Sequence, residues 1–268
     1  MSTTALTLPY APASSPGRAM RIFLRETRYE FVRALRTRAF SLSVLGFPVM
    51  FYVLFGVMNR HETVHGAIIA KYLLASYAAF GVVGAALFGI GVGLAGERTS
   101  GWLELKRASP MPPLAYLLAK CVASVAFGLV IANVLCIVGV FGAGVHIALS
   151  EYAGVMAMCF LGGVPFACFG LLLAMVVPAN AAPGIVNLIY LPMSYFSGLW
   201  EPIFLMPKWM QHLAPWLPTY HLSQLMLRVF GYAMPGVSAS RSIEALLGFA
   251  LLFLGCAWIA FARAEVDA

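Results

Sequence analysis

Long apolar stretches separated by short polar connections run through the 268 residues. Six of them, residues 40–58, 67–95, 121–145, 152–177, 182–199 and 243–262, are free or almost free of charge. A helix needs roughly 20 apolar residues to cross a hydrocarbon core about 30 Å thick, and these stretches match that length. Their apolar residues are continuous rather than alternating, which predicts helices and not barrel strands. Lys71 and Glu244 stand near the starts of the second and the sixth. The pattern therefore predicts an all-α membrane protein with six transmembrane helices.

Two further segments lie between pure loop and pure span. Residues 21–38 hold Leu24, Phe31 and Leu35 within roughly 40° of one another on a helical wheel, with Arg21, Arg25, Arg28 and Arg36 over roughly 80° beside them. Such a helix lies in the interface, apolar side down and guanidinium groups toward phosphates, or its Arg residues simply fix topology. Ile22 and Phe23 fall off the stripe. Residues 200–241 are too polar for a span and too rich in Pro for a simple loop, and Trp209, Trp216, Tyr220 and Tyr232 suit a headgroup boundary. Short helices at or dipping into the outer surface are expected there.

Composition agrees with a bilayer environment: 62% of residues are apolar, 10% are charged and mean hydropathy is +0.88, which excludes a soluble domain. The charges set orientation. Seven Arg precede the first stretch, four Lys or Arg lie between the second and third, and Arg263 follows the sixth, twelve in all. Arg60, Lys71, Lys208, Arg228 and Arg241 make five on the other side, so both termini are expected in the cytoplasm. The net charge of +7 is thereby a matter of topology and of anionic headgroups, and nucleic acid is not an expected partner. Residues 1–20 read as a disordered cytoplasmic tail without a cleaved signal peptide. The five Cys all fall in proposed spans and predict neither disulfide nor metal. A row of small residues, Gly81, Ala85, Gly89 and Gly93, marks a face of the second span that another helix approaches closely.

Between the second and third spans runs Glu97-Arg98-Thr99-Ser100-Gly101-Trp102-Leu103-Glu104-Leu105-Lys106-Arg107-Ala108-Ser109-Pro110, closed by Lys120. Ser109 and Pro110 suit a helix start, one as cap and the other at the first position. The pattern Glu-Arg-x-x-Gly-x-Leu-Glu-x-x-x-x-x-Pro resembles the first cytoplasmic loop of type 2 ABC transporter permeases, the group of drug, polysaccharide and nodulation-factor exporters. An Arg-rich segment running into Phe47-Pro48-Val49-Met50-Phe51-Tyr52, six spans, and the pair Ser197-Gly198-Leu199-Trp200-Glu201-Pro202 and Pro215-Trp216-Leu217-Pro218-Thr219-Tyr220-His221 extend the resemblance over nearly all of the chain after Met20.

That resemblance implies an elbow helix at 21–38, a six-span permease domain over 39–268, a coupling loop at 96–120 and a re-entrant segment at 200–241. Glu97, Arg98, Gly101, Glu104 and Pro110 are the residues it assigns to coupling with an ATP-binding subunit. It further implies two permease chains, identical or paired, two ATP-binding subunits carrying ATP and Mg, no cofactor on this chain, and an exporter in a bacterial cytoplasmic membrane.

The residues also bear on energy supply. Each Lys follows something other than Gly, so the chain holds no G-x-x-x-x-G-K-[ST] phosphate loop. Its spans are nearly free of ionisable groups, which counts against an ion-coupled secondary carrier. Asn133 and Asn187 are the main polar groups at depth, and either lines a substrate route or bonds between helices. His61-Glu62-Thr63-Val64-His65 fits H-E-x-x-H, the zinc site of membrane metalloproteases, which needs both His on one helical face. This tight connection between two spans offers little room for such a helix, so the protease stands as the alternative.

Overall fold

A computed structural model describes residues 16–64, 66–101 and 113–266. Its helices are α1 (Pro16–Arg36), α2 (Arg38–Val57), α3 (Ile69–Thr99), α4 (Pro113–Ala143), α5 (Leu149–Val176), α6 (Ala182–Phe196), α7 (Lys208–Leu213), α8 (Pro218–Val229) and α9 (Ala239–Val266). The fold is all-α apart from a two-stranded hairpin, β1 (Thr63–Val64) with β2 (Ala67–Ile68).

Five helices, α2, α3, α4, α5 and α9, are long and apolar enough to cross a membrane. The stretch expected as a span at 182–199 is instead the 15-residue α6, whose rise of about 22 Å falls short of a ~30 Å core. Gly198, with φ of +75°, stops it, and Leu199 to Pro202 continue irregularly. Other boundaries shift as well. Helix α1 begins at Pro16, ahead of the expected Arg21, and within the expected loop 96–120 α3 runs on to Thr99 and α4 already begins at Pro113. Segment 200–241 contains the expected short helices α7 and α8, with 3-10 turns at Ile203–Leu205 and Ala214–Trp216.

Helix α3 is the axis of the bundle, buried along most of its length by α2, α4, α5 and α8. Its Ala- and Gly-rich surface explains this, because without a hydrophobic force between helices in lipid, close backbone approach supplies the attraction. The row Gly81, Ala85, Gly89, Gly93 is tight at one end only. A Cβ at Gly81 would meet Ile131 Cγ2 at 2.5 Å, whereas one at Gly93 would meet nothing nearer than the Phe88 carbonyl oxygen at 3.9 Å. The closest approach to another backbone lies elsewhere: a Cβ at Gly170 of α5 would stand 2.9 Å from the Ala86 carbonyl oxygen and 3.3 Å from the Gly91 nitrogen. That contact falls where α3 widens into a π turn at Leu87–Val92. A second π turn ends α2 at Tyr52–Val57, seating Tyr52 fully buried against Gly56.

Of the expected stripe in α1, Leu24 and Leu35 are exposed while Phe31 packs against the bundle. The packed face is centred on neighbouring positions. Phe23, Thr27, Glu30 and Ala34 fall within roughly 60° at 100° per residue, and Glu30 and Ala34 of this group lean on the bundle.

Candidate functional site

Where α1, α3 and α4 meet, four charges and a phenol converge. Glu30 and Arg33 stand one turn apart on α1, Glu97 ends α3, and Tyr116 and Lys120 share a face of α4 at i, i+4 spacing. Glu30, Glu97 and Lys120 are 7%, 4% and 5% exposed, so the carboxylates and the ammonium are withdrawn from water. Lys120 Nζ donates to Glu30 Oε2 at 2.8 Å and to Glu97 Oε1 at 3.0 Å. Arg33 Nη1 and the Tyr116 hydroxyl also donate to Glu97, and the Lys120 ammonium lies 5.3 Å from the centre of the Tyr116 ring.

Among the described residues two carboxylates face two cations, and such pairing is the condition under which ions survive burial. Glu97 accepts from three side chains on two other helices. Lys120 hydrogen-bonds both carboxylates, and Arg33, bonded to Glu97, also stands 4.0 Å from Glu30. Burial opposes the charge on Arg33, but its hydrogen bond to Glu97 and the charges of Glu97 and Glu30 outweigh that, so its pKa is raised.

The neighbouring residue works in the opposite direction around the helix. Arg98 donates to the carbonyl oxygens of Met175 and, at 3.1 Å, of Val177 at the end of α5. A guanidinium there satisfies orphan carbonyls and complements the negative end of the helix dipole. Gly101, with φ of +71°, follows the last turn of α3 in the left-handed conformation that ends helices. Glu97 and Arg98 thus fasten the end of α3 to α1, α4 and α5. Glu104 and Pro110 lie outside the described residues.

Other expected site residues are scattered. Arg21, Arg25, Arg28 and Arg36 are exposed along α1. Asn133 is engaged on both sides: its amide donates to the Leu129 carbonyl oxygen at 2.8 Å, and its carbonyl accepts from the Tyr152 hydroxyl of α5. Asn187 lies on an exposed face of α6 with Leu188 and Leu191. His61 and Glu62 occupy a turn, and Thr63 and Val64 are a strand, so the H-E-x-x-H stretch is not helical; His65 lies outside the described residues. His61 Nε2 accepts from Arg60 Nε at 3.1 Å. Among the described residues no three His, Cys, Asp or Glu are grouped to hold a metal. Glu62→Gln is accordingly expected to leave transport at the wild-type rate in reconstituted vesicles; loss of transport would give that loop a role it lacks here.

The sequence model of the ABC-2 type transporter family matches residues 23–231. That match takes in most of α1, the charge cluster and every helix from α2 to α8. The chain belongs to the ABC-2 type transporter family. Among its relatives, YvfS of Bacillus subtilis (strain 168), a protein named as a transport permease, is 30% identical over 241 residues, covering 88% of this chain and 95% of that one. The permease is thus a multi-pass membrane subunit for transport rather than an enzyme, and its family implies an ABC system with an ATP-binding partner.

The cluster escaped the sequence because its members belong to three separated stretches. Glu30 and Arg33 resemble an ordinary surface pair on a helix, and Lys120 resembles a loop charge. One signal was available: Glu30 shares its face of α1 with Phe23, Thr27 and Ala34 rather than with the Arg residues.

Proposed function

We propose that this permease is the membrane-embedded half of an exporter in a bacterial cytoplasmic membrane, with both termini in the cytoplasm. It moves an amphipathic, drug-like, lipid-linked or saccharide cargo. ATP and Mg are handled by two copies of a separate subunit, and two permease chains, preferably identical, form the pathway.

The observation that carries this reading is the Glu30–Arg33–Glu97–Lys120 cluster, which bonds the elbow helix to the two helices flanking the cytoplasmic loop. ATP closes the motor dimer, which presses on the coupling segment 96–120. Because the cluster and Arg98 bond α1, α3, α4 and α5 together at that end, the push moves these helices as one body. Gating then follows from the different affinities of two conformations for ATP.

Further contacts support a sixth crossing that α6 alone is too short to complete. Arg98 marks one end of α3 beside Val177, just ahead of α6. After α6, Tyr77 donates to the Trp200 carbonyl oxygen at 3.2 Å, and Phe204 packs on Tyr72 with ring centres 5.9 Å apart, near the other end of α3. Residues 182–204 thus run back along α3. A re-entrant hairpin of α7 and α8 is supported likewise. Thr219 bonds Ser197 at the start of α8, and beyond its end Phe230 lies under Lys71, 5.1 Å away, near the first turn of α3. The second permease chain covers the apolar faces of α2 and α6, joined at Phe51 and Trp200 with ring centres 5.2 Å apart. Asn187 then faces the route, while Asn133, already bonded, serves helix packing.

Arg33→Gln tests the coupling. Arg33 is 45% exposed and Glu97 keeps Lys120 and Tyr116 without it, so losing this ion pair costs less stability than losing Lys120. The variant is expected to retain its ATP-binding partner and its basal ATP hydrolysis. Transport per ATP should fall roughly 5- to 150-fold, the span of 1–3 kcal/mol of coupling free energy. Wild-type transport per ATP in this variant would remove the cluster from the coupling path.

A further inference from the structure

Beside the charge cluster a cavity of about 240 Å³ opens between α1, α2, α3 and α4. Its two ends differ in chemistry. Arg33 and Thr37 stand at one, with the buried carboxylates and Lys120 along the wall; Phe40, Phe88 and Phe127 form the other, and Phe40 and Phe127 lie 5.0 Å apart between ring centres. The room is made by two glycines one turn apart on α3. A Cβ at Gly89 would only just touch Ser124 Oγ at 3.5 Å and Phe40 Cζ at 3.6 Å, and one at Gly93 would meet only the Phe88 carbonyl oxygen at 3.9 Å. At Gly93 the small-residue row receives no other helix.

Size and placement narrow the occupant. Pockets that enclose a whole drug-sized ligand measure about 300–1,000 Å³, so this one takes only an end of a molecule. Interiors are close-packed, and an apolar void far larger than a water is filled by whatever apolar matter surrounds the protein. For a helix bundle in a bilayer that matter is acyl chain. At the mouth, Arg33 gives one nitrogen to Glu97 yet remains 45% exposed, with the exposed Arg36 one turn further along α1. A guanidinium suits a phosphate through its forked donors.

We propose that the cavity holds one acyl chain of a membrane glycerophospholipid whose phosphate rests on Arg33, so that a lipid wedges the elbow helix against α3 and α4. The proposal needs the bilayer but neither the cargo nor the ATP-binding partner, and it stands or falls apart from the export reading.

The full chain in vesicles of phosphatidylethanolamine and phosphatidylglycerol, doped with phosphatidylglycerol bearing a photoactivatable acyl chain, provides the test without ATP. Irradiation followed by peptide mapping is expected to label Phe40, Phe88 or Phe127 above Leu247 and Leu251, which sit exposed on α9. Unlabelled phosphatidylglycerol should compete, and diacylglycerol and inorganic phosphate should not. Gly93→Leu, which fills the cavity, should reduce cavity labelling to the α9 level while α9 labelling persists as the sign of a folded, inserted chain. The proposal is overturned by cavity labelling no higher than on α9, by equal labelling in Gly93→Leu, by diacylglycerol competing equally, or by displacement with inorganic phosphate, which would mark an anion site. Should Gly93→Leu not fold, the mapping and competition in the unaltered chain decide the matter by themselves.

Discussion

Replacing Lys120 with methionine is expected to destabilise the permease by about 3–5 kcal/mol, the cost of removing one partner from a buried ion pair. Lys120 is 5% exposed and bonds both Glu30 and Glu97, so its loss removes the cation the two carboxylates share from a largely buried site. Glu97 keeps Arg33 and the Tyr116 hydroxyl, and Arg33 stands 4.0 Å from Glu30, so the cost is that of an ion cluster deprived of its most buried cation. In thermal unfolding of the detergent-solubilised chain the melting temperature should fall on the order of 10 °C. The same Lys120→Met in a background of Glu30→Gln and Glu97→Gln should recover most of the loss, because apolar or neutral replacements of a whole buried cluster are close to neutral. A single Lys120→Met as stable as the wild type would mean that the cluster is hydrated and loose.

Gly170→Val is expected to have the second large effect, through shape rather than charge. The added Cβ would stand 2.9 Å from the Ala86 carbonyl oxygen, 3.1 Å from Ile90 Cβ and 3.3 Å from the Gly91 nitrogen. Two of these three neighbours are backbone, which cannot turn aside as a side chain can. Overpacking of this kind costs about 1–3 kcal/mol and more where relaxation is blocked. Pushing α5 away from α3 also draws the ends of α5 from Arg98, so loss of the hydrogen bonds to Met175 and Val177 should compound the damage. Gly248→Val is the control: nothing lies within 4 Å of a Cβ there, and the expected change is within about 0.5 kcal/mol. Equal unfolding temperatures for the two variants would contradict the packing described here.

These two sites lie at opposite extremes of what sequence can reveal. The length of the apolar stretches located five long helices, because length and hydropathy alone decide whether a stretch suits a bilayer; four agree to within about four residues at each end, while α4 begins at Pro113 rather than at the expected Cys121. It overestimated residues 182–199, where the stretch is apolar enough yet Gly198 and the irregular Leu199 to Pro202 end the helix early. The Gly row on α3 correctly marked small residues, but the tightest backbone approach is that of Gly170 to Ala86 and Gly91, at the π turn Leu87–Val92. A π turn shifts the helical phase by one residue, and nothing in a 3.6-residue pattern announces it. The loop motif drew attention to Glu97 and Arg98 from the outset. Their inward bonding could not be read there, since Glu97 depends on residues 64 and 23 positions away in the chain.

This permease is expected to be driven by an ATP-hydrolysing subunit on another chain. Purification of the tagged protein from its native membrane in mild detergent, with mass spectrometry of what accompanies it, tests this most directly. The account predicts a soluble partner that carries a phosphate-binding loop and hydrolyses ATP. A chain that emerges without such a partner and holds one tightly bound zinc would contradict it and return attention to His61, Glu62 and His65.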